Sequence, residues 1–190
     1  MLFQSYKENN YKQERKLNFV CIIIVLAVCS VICLFVKELL PLLIKTKGVE
    51  AVYPLSIFFI MSNAQRPMYV AANNRLFYME KTSALLKVTT VAAILSIILN
   101  LIGISIFGFE AAAVVLFVCN MYVGYSGFFI KEYKEQKVEN HYPMFWLILT
   151  VFLTIFFYFI ADSSLFFRIA TAFSLSLFSL SGLFFIYKKM

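Results

Sequence analysis

The residues best suited to chemistry sit inside an apolar run, at Ser62-Asn63-Ala64-Gln65-Arg66-Pro67. On a continuous helix at 100° per residue, Ser62, Asn63, Arg66, Tyr69 and Asn73 fall within an arc of about 120°, and Gln65 points elsewhere. A guanidinium beside amide donors can hold an anion, because its planar fork matches phosphate and carboxylate oxygens. Pro67 lacks an N–H, so it is expected to kink the helix and free backbone groups that need polar partners. Arg66 is placed some six residues from the inner end of its span, about 9–10 Å at 1.5 Å per residue. A charge there costs about 2.5–3.5 kcal/mol at the bilayer centre and less near the edge. Two roles are open to it. Arg66 either snorkels to the headgroups and anchors the helix, or faces a wet cavity and binds an anion.

Asn100 and Asn120 extend the set of substrate-path candidates to Asn63, Arg66, Tyr69, Asn73, Asn100 and Asn120. A buried Asn in lipid commonly bonds a neighbouring helix for about 0.6–2 kcal/mol, so helix packing competes with substrate contact at both positions. Gly103, Gly124 and Gly127 read as points of close helix approach. Cys21, Cys29, Cys33 and Cys119 all lie in apolar runs with no CxxC pair, and they read as small packing hydrophobes. The single histidine, His141, falls in a polar loop. No metal site, disulfide framework or cofactor is expected.

Catalysis has no evident cast. There is no GxxxxGK[ST] phosphate loop and no Ser/His/Asp or Cys/His set. Glu38, Glu110 and Asp162 all lie near one edge of their spans, so no carboxylate is mid-span. The chain is read as a non-enzyme, and a polar helix face with one cation suits translocation better than bond-making.

The elements that must position these residues are transmembrane helices. Of 190 residues, 62% are hydrophobic, 14% are charged and 22 are Phe; the mean hydropathy is +0.85. A soluble domain is nearer half apolar and a quarter charged. About 20 apolar residues span about 30 Å of hydrocarbon, and six runs qualify: 19–36, 52–72, 88–107, 111–130, 144–161 and 165–187. The first is too long for a signal peptide and lacks a small-residue cleavage site. The expected fold is an all-α polytopic bundle of about six transmembrane helices.

Residues 1–18 read as a partly helical cytoplasmic lead-in and 19–130 as a four-helix part. Residues 131–143 form a solvated cytoplasmic loop, and 144–190 form two peripheral helices with a short basic tail. LPLLI (40–44) extends the first helix or lies along the surface, and KTKGVE makes an external turn with Gly48 as a helix stop. Residues 73–87 form a cytoplasmic loop with a short amphipathic segment, and FGFE (107–110) is a tight turn. Ser174, Ser176, Ser179 and Ser181 suit interhelical bonding.

With the N-terminus inside, twelve Lys and Arg residues face the cytoplasm (Lys7, Lys12, Arg15, Lys16, Arg75, Lys81, Lys87, Lys131, Lys134, Lys137, Lys188 and Lys189). Four (Lys37, Lys45, Lys47 and Arg168) face out. This bias places both termini in the cytoplasm by the positive-inside rule. The net charge of +7 is spread over membrane-flanking segments. Anchoring in the lipid bilayer explains it, and nucleic-acid binding is not expected.

Residues 81–115 resemble the Wzx-like polysaccharide and O-antigen flippases of the multidrug/oligosaccharidyl-lipid/polysaccharide exporter superfamily. Lys81-Thr82 precede the helix AAILSIILNLIGISIFGFEAAAVV (92–115), in which Leu99-Asn100, Phe107-Gly108 and Ala112-Ala113 match the family pattern. Ser96, Ser105 and Ala111 stand where that family usually has Asn, Pro and Gly. KTKGVEAVYPL (45–55) also resembles the external turn and helix start of these transporters. The order of spans resembles a C-terminal lobe plus two extra helices, roughly the second half of such an exporter.

The resemblance implies flipping of a polyprenyl-pyrophosphate-linked glycan, carried on undecaprenyl, across the bacterial cytoplasmic membrane in lipopolysaccharide or capsule biosynthesis. Two lobes would rock around a midplane site. Because one lobe cannot enclose a cavity, the resemblance also implies a separate N-terminal lobe, a second copy, or a truncated module without transport of its own.

Overall fold

The computed structural model describes residues 11–44, 52–135 and 140–188. All regular elements among them are helical. They are α1 (Tyr11–Leu43), α2 (Tyr53–Met61), α3 (Arg66–Tyr78), α4 (Thr82–Phe107), α5 (Ala111–Ser126), a 3₁₀ turn (Gly127–Phe129), α6 (Lys131–Lys134), α7 (Pro143–Ile160) and α8 (Leu165–Lys188). Five helical segments are long and apolar enough to cross a membrane: α1, α4, α5 with its 3₁₀ extension, α7, and α8 through Phe184. The sixth expected span is divided into α2 and α3.

The fold is thus an all-α polytopic bundle, and its apolar side chains point both ways. α4 leaves Ile94, Ile97, Leu101 and Ile106 exposed, and α8 leaves Phe166, Phe173 and Phe178 exposed. A water-soluble monomer rarely exposes contiguous apolar surface on this scale, whereas hydrocarbon solvates it.

The divided α2–α3 element lies at the centre. It packs on α1, on α5 and, through α2, on α7. Ile57, Met61, Met68 and Leu76 along it are fully buried. α4 packs mainly on α5, and α8 runs along α1 on the outside. α7 is less peripheral than α8, since Thr150, Thr154 and Phe157 are buried against the core.

Small residues permit the close approaches. A Cβ added at Gly103 would lie 3.2 Å from Ala111 Cβ, and one at Gly127 would lie 2.7 Å from Ala72 Cβ. Gly108, at φ +77°, ends α4 in a conformation that L side chains rarely adopt and makes the tight 107–110 turn.

α1 begins at Tyr11, within the partly helical lead-in, and LPLL continues it to Leu43, the first of the two placements open to that segment. α3 runs to Tyr78, so only residues 79–81 separate it from α4, where a longer amphipathic loop was expected. Packing of α3 against α1 and α5 keeps the run NNRLFY in the bundle. The turn at 45–51, with Gly48, lies outside the described residues. His141, expected in a solvated loop, is buried against Phe128 and Tyr133. The serines of α8 bond backwards within their own helix, Ser174 to Thr171 O, Ser176 to Ala172 O, Ser179 to Ser176 O and Ser181 to Phe178 O. In an apolar solvent the nearest free acceptor is the carbonyl one turn back.

Candidate functional site

The break in the central helix is built from local hydrogen bonding. Ser62 still bonds its N–H to Phe58 O, but Asn63 N–H reaches Ile60 O at 3.0 Å, Ala64 reaches Met61 O at 3.0 Å, and Arg66 reaches Asn63 O at 3.1 Å. These are i to i−3 bonds, so residues 62–65 tighten into a 3₁₀-like turn before Tyr69 N–H resumes the α pattern to Gln65 O at 3.1 Å. Pro67 sits at the start of α3, where its missing N–H is no loss. The irregularity therefore lies upstream of the proline rather than at it.

The tightening changes which side chains face inward. Four residues at about 120° each, instead of 100°, rotate everything beyond them by about 80°. The single stripe expected from Ser62 to Asn73 is split at this point. Ser62 is buried, with Oγ donating to Phe59 O at 2.7 Å, and Asn63 is half-buried, with Nδ2 donating to the same carbonyl at 3.0 Å. Gln65, expected to point away, is buried. Its Oε1 accepts no hydrogen bond and rests against α5, where a Cβ at Gly124 would fall 2.6 Å from it. Arg66 is exposed, while Tyr69 and Asn73 are half-buried.

Two further candidates lie elsewhere. Asn100 Nδ2 donates to Ser96 O at 2.9 Å and is 3.3 Å from Ser96 Oγ, so it bonds its own helix instead of a neighbour. Asn120 is half-buried on α5. The six are not gathered into one cavity. Arg66 borders a groove of about 270 Å³ between α1 and α3, which none of the other five lines. Larger hollows of about 380 and 550 Å³ are walled mostly by apolar side chains, among them Met121 and Leu147 in the first and Leu99 and Val114 in the second. Among the described residues no group of three His, Cys, Asp or Glu side chains could hold a metal ion.

Charge pairing between distant segments is the part that spacing does not reveal. At one end of α1, Glu14 Oε2 accepts from Arg75 Nη1 at 2.9 Å, with both side chains almost wholly buried. The Arg75 guanidinium lies 4.6 Å from the Tyr11 ring centroid and 6.0 Å from that of Tyr133. Tyr133 Oη in turn lies 3.4 Å from His141 Nδ1.

At the other end of α1, Arg168 donates from Nη1 and Nη2 to the two Glu38 oxygens, and from Nη1 to Leu34 O at 3.0 Å. Beside them Lys37 Nζ lies 3.0 Å from Asp162 Oδ1, which also accepts from the Tyr53 hydroxyl. That hydroxyl, and then Lys37, hold the Asp162 carboxyl below the usual aspartate range. Lys37 and Glu38, expected to snorkel, are thus tied to the α7–α8 corner. A signal for the buried end did exist. Stepping back along the buried face of α1 from Cys33, Cys29 and Ile22 by turns reaches Asn18 and Glu14, which puts a carboxylate on the core stripe.

No protein family, no curated protein and no solved structure matches the chain.

Proposed function

We propose that this chain is part of a membrane transporter that moves lipid-linked oligosaccharide precursors across the bacterial cytoplasmic membrane, with both termini cytoplasmic. One observation carries the transport reading, namely the divided helix at the centre of the bundle. Irregular backbone at membrane depth is tolerated where it is buried in protein or lines a cavity, and transporters place their sites at discontinuous helices. Here the break brings Ser62, Asn63 and Gln65 to one level, with an amide oxygen of Gln65 unspent. That oxygen faces a helix made thin by Gly124. A second arrangement of α5 would give it a partner or a ligand. The glycan class follows from the resemblance of residues 81–115 and from that alone. Of the two roles open to Arg66, its exposed side chain favours the headgroup-facing one.

A second reading is a module that acts only with a partner subunit, either a separate N-terminal lobe or a second copy. The broad exposed face of α4 favours it, because that face could lie against protein as well as lipid.

The test is complementation of a strain lacking its polysaccharide flippase, by the chain alone and with an N-lobe partner. Export is expected in at least one arm and should fall with Gln65→Leu at unchanged membrane levels. Wild-type export by the Gln65→Leu protein would remove the broken helix from the pathway. Failure of both arms would remove the glycan assignment.

A further inference from the structure

The hollow of about 550 Å³ has apolar walls and one charged group at its rim. Leu99 and Ile102 of α4 form one wall, Val114 and Val115 of α5 another, and Phe58 of α2 lies between them. Phe58 stacks edge-on against Phe117 of α5 at 6.0 Å and lies 5.6 Å from the Tyr158 ring of α7, so three helices fix its place. Among the lining residues only Glu110 is charged. It is exposed, and no described Lys or Arg pairs with it. It stands at the N-cap of α5, yet its side chain makes no cap hydrogen bond. The carboxylate is therefore unspent.

The register of the walls sets which end of the hollow is polar. α4 and α5 are antiparallel across the 107–110 turn, and a Cβ at Gly103 would lie 3.2 Å from Ala111 Cβ and 3.6 Å from Val115 Cγ2. Leu99 is thus one turn further from the turn than Gly103, and about 12 Å along the helix from Phe107 at 1.5 Å per residue. The apolar run of α4 ends at Phe107, so Glu110 stands just past it, at headgroup level. Phe58 and Tyr158 lie about a turn in from Tyr53 and Asp162, whose side chains bond each other at the same end of the bundle. All the walls agree: the carboxylate marks the polar end, and the apolar length runs from it towards mid-membrane.

A hydrocarbon chain fits that length, and charge decides what its head must be. A carboxylate in partly desolvated surroundings attracts a cation more strongly than it would in water. A phosphate there would meet Glu110 with no Lys or Arg in the lining to offset the repulsion. We infer that the α2–α4–α5 hollow is a binding site for a cationic amphiphile with a single hydrocarbon chain, whose ammonium pairs with Glu110 and whose chain lies along Ile102, Leu99 and Val115. Phosphatidyl lipids are disfavoured by their phosphate, so the site selects by headgroup. The site does not rest on the transport reading.

The test is photolabelling of the full chain in phosphatidylcholine nanodiscs. The probes are a long-chain alkyl ammonium with a diazirine in its chain, the alcohol of the same chain, and a phosphatidylethanolamine with the same diazirine. Labelling of residues 99–115, mapped by mass spectrometry, is divided by labelling of the exposed α8 residues Phe173 and Phe178, which corrects for partition into the bilayer. The ammonium should exceed the alcohol about five-fold, the factor that an ion pair at the upper end of the exposed range supplies, and it should exceed the phosphatidylethanolamine as well. Glu110→Gln should bring the ammonium down to the level of the alcohol, and Glu110→Asp should retain part of the preference.

Equal ratios for ammonium and alcohol in the wild-type protein would make the hollow a seat for any chain and overturn the inference, and that comparison needs no variant to fold. A phosphatidylethanolamine ratio equal to that of the ammonium would assign the hollow to a zwitterionic lipid and also overturn it. A preference for the ammonium that survives Glu110→Gln would place the charge recognition elsewhere, with the same consequence.

Discussion

The two ends of α1 carry ion pairs of the same chemical kind in different surroundings. Glu14 and Arg75 are sealed between helices and aromatic rings, with side-chain exposures of 1% and 4%. At the other end Lys37 and Asp162 are 42% and 75% exposed, and Glu38 is 40% exposed although its partner Arg168 is buried. The difference teaches that the count of ion pairs at each end says little about how strongly each end is held. Desolvated partners cannot be separated without stranding a charge, whereas exposed partners exchange one another for water.

The sharpest way to break the contrast is Arg75→Ala, which removes the guanidinium that donates to the buried Glu14 carboxylate at 2.9 Å. A loss of about 3–5 kcal/mol is expected, read as a large drop in thermal unfolding temperature in detergent. A loss no greater than that of an exposed pair would erase the distinction between the ends.

Arg168→Ala should cost less, about 1.5–3 kcal/mol for hydrogen bonds to a charged group, because Glu38 can turn to water. The same melting experiment ranks the two variants. If Arg168→Ala proves the more damaging, the Glu38–Arg168 cluster is the stronger clamp.

Gly127→Ala sharpens the Glu14 end by packing instead of charge. The new Cβ would meet Ala72 Cβ at 2.7 Å, and an alanine side chain has no rotamer into which to retreat. A cost of about 1–3 kcal/mol is expected for overpacking. An unchanged melting temperature would show that α3 and the 3₁₀ turn after α5 slide apart freely.

The smallest effect belongs to Asp162. Its carboxyl is held below the usual range by the Tyr53 hydroxyl and then by Lys37. A depressed value means that its contribution is present above the ordinary carboxylate range and is lost as pH falls below about 4. Melting curves followed down through that range should show a slight extra loss that Asp162→Asn lacks. Parallel curves for the two proteins would mean that the carboxylate is not tied.

Much of this architecture was legible in the chain. The apolar runs locate α5, α7 and α8 to within a few residues and α4 at its C-terminal end, although α4 begins six residues before its run, because length and hydropathy decide whether a helix can span lipid. Gly103, Gly124 and Gly127 were readable as close-approach points for a similar reason, since only a missing Cβ allows such contact. The candidate site was less legible. A helical wheel assumes constant pitch, and the 3₁₀-like turn at 62–65 changes the pitch midway, so Gln65 turns inward and Arg66 turns out. Glu14 and Arg75 are 61 residues apart, and no local period links them. Asn100 was open to helix packing or substrate contact, and the serines of α8 were expected to bond across helices. They bond within their own because a carbonyl one turn back is always within reach and a neighbour is not.

The 33 residues of α1 make a rod about 50 Å long, with Glu14 and Glu38 about 36 Å apart at 1.5 Å per residue. Pro41 lies beyond Glu38, leaving the stretch between the two carboxylates without an interior proline to bend it. Such a rod behaves as a lever. Pivoted at its middle by about 10°, it would carry the two carboxylates some 3 Å in opposite directions, enough to undo a hydrogen bond at either end. Mutations this far apart ordinarily add. A Glu14→Gln and Glu38→Gln pair that departs from additivity would mark mechanical communication along α1, and strict additivity would leave each end to itself.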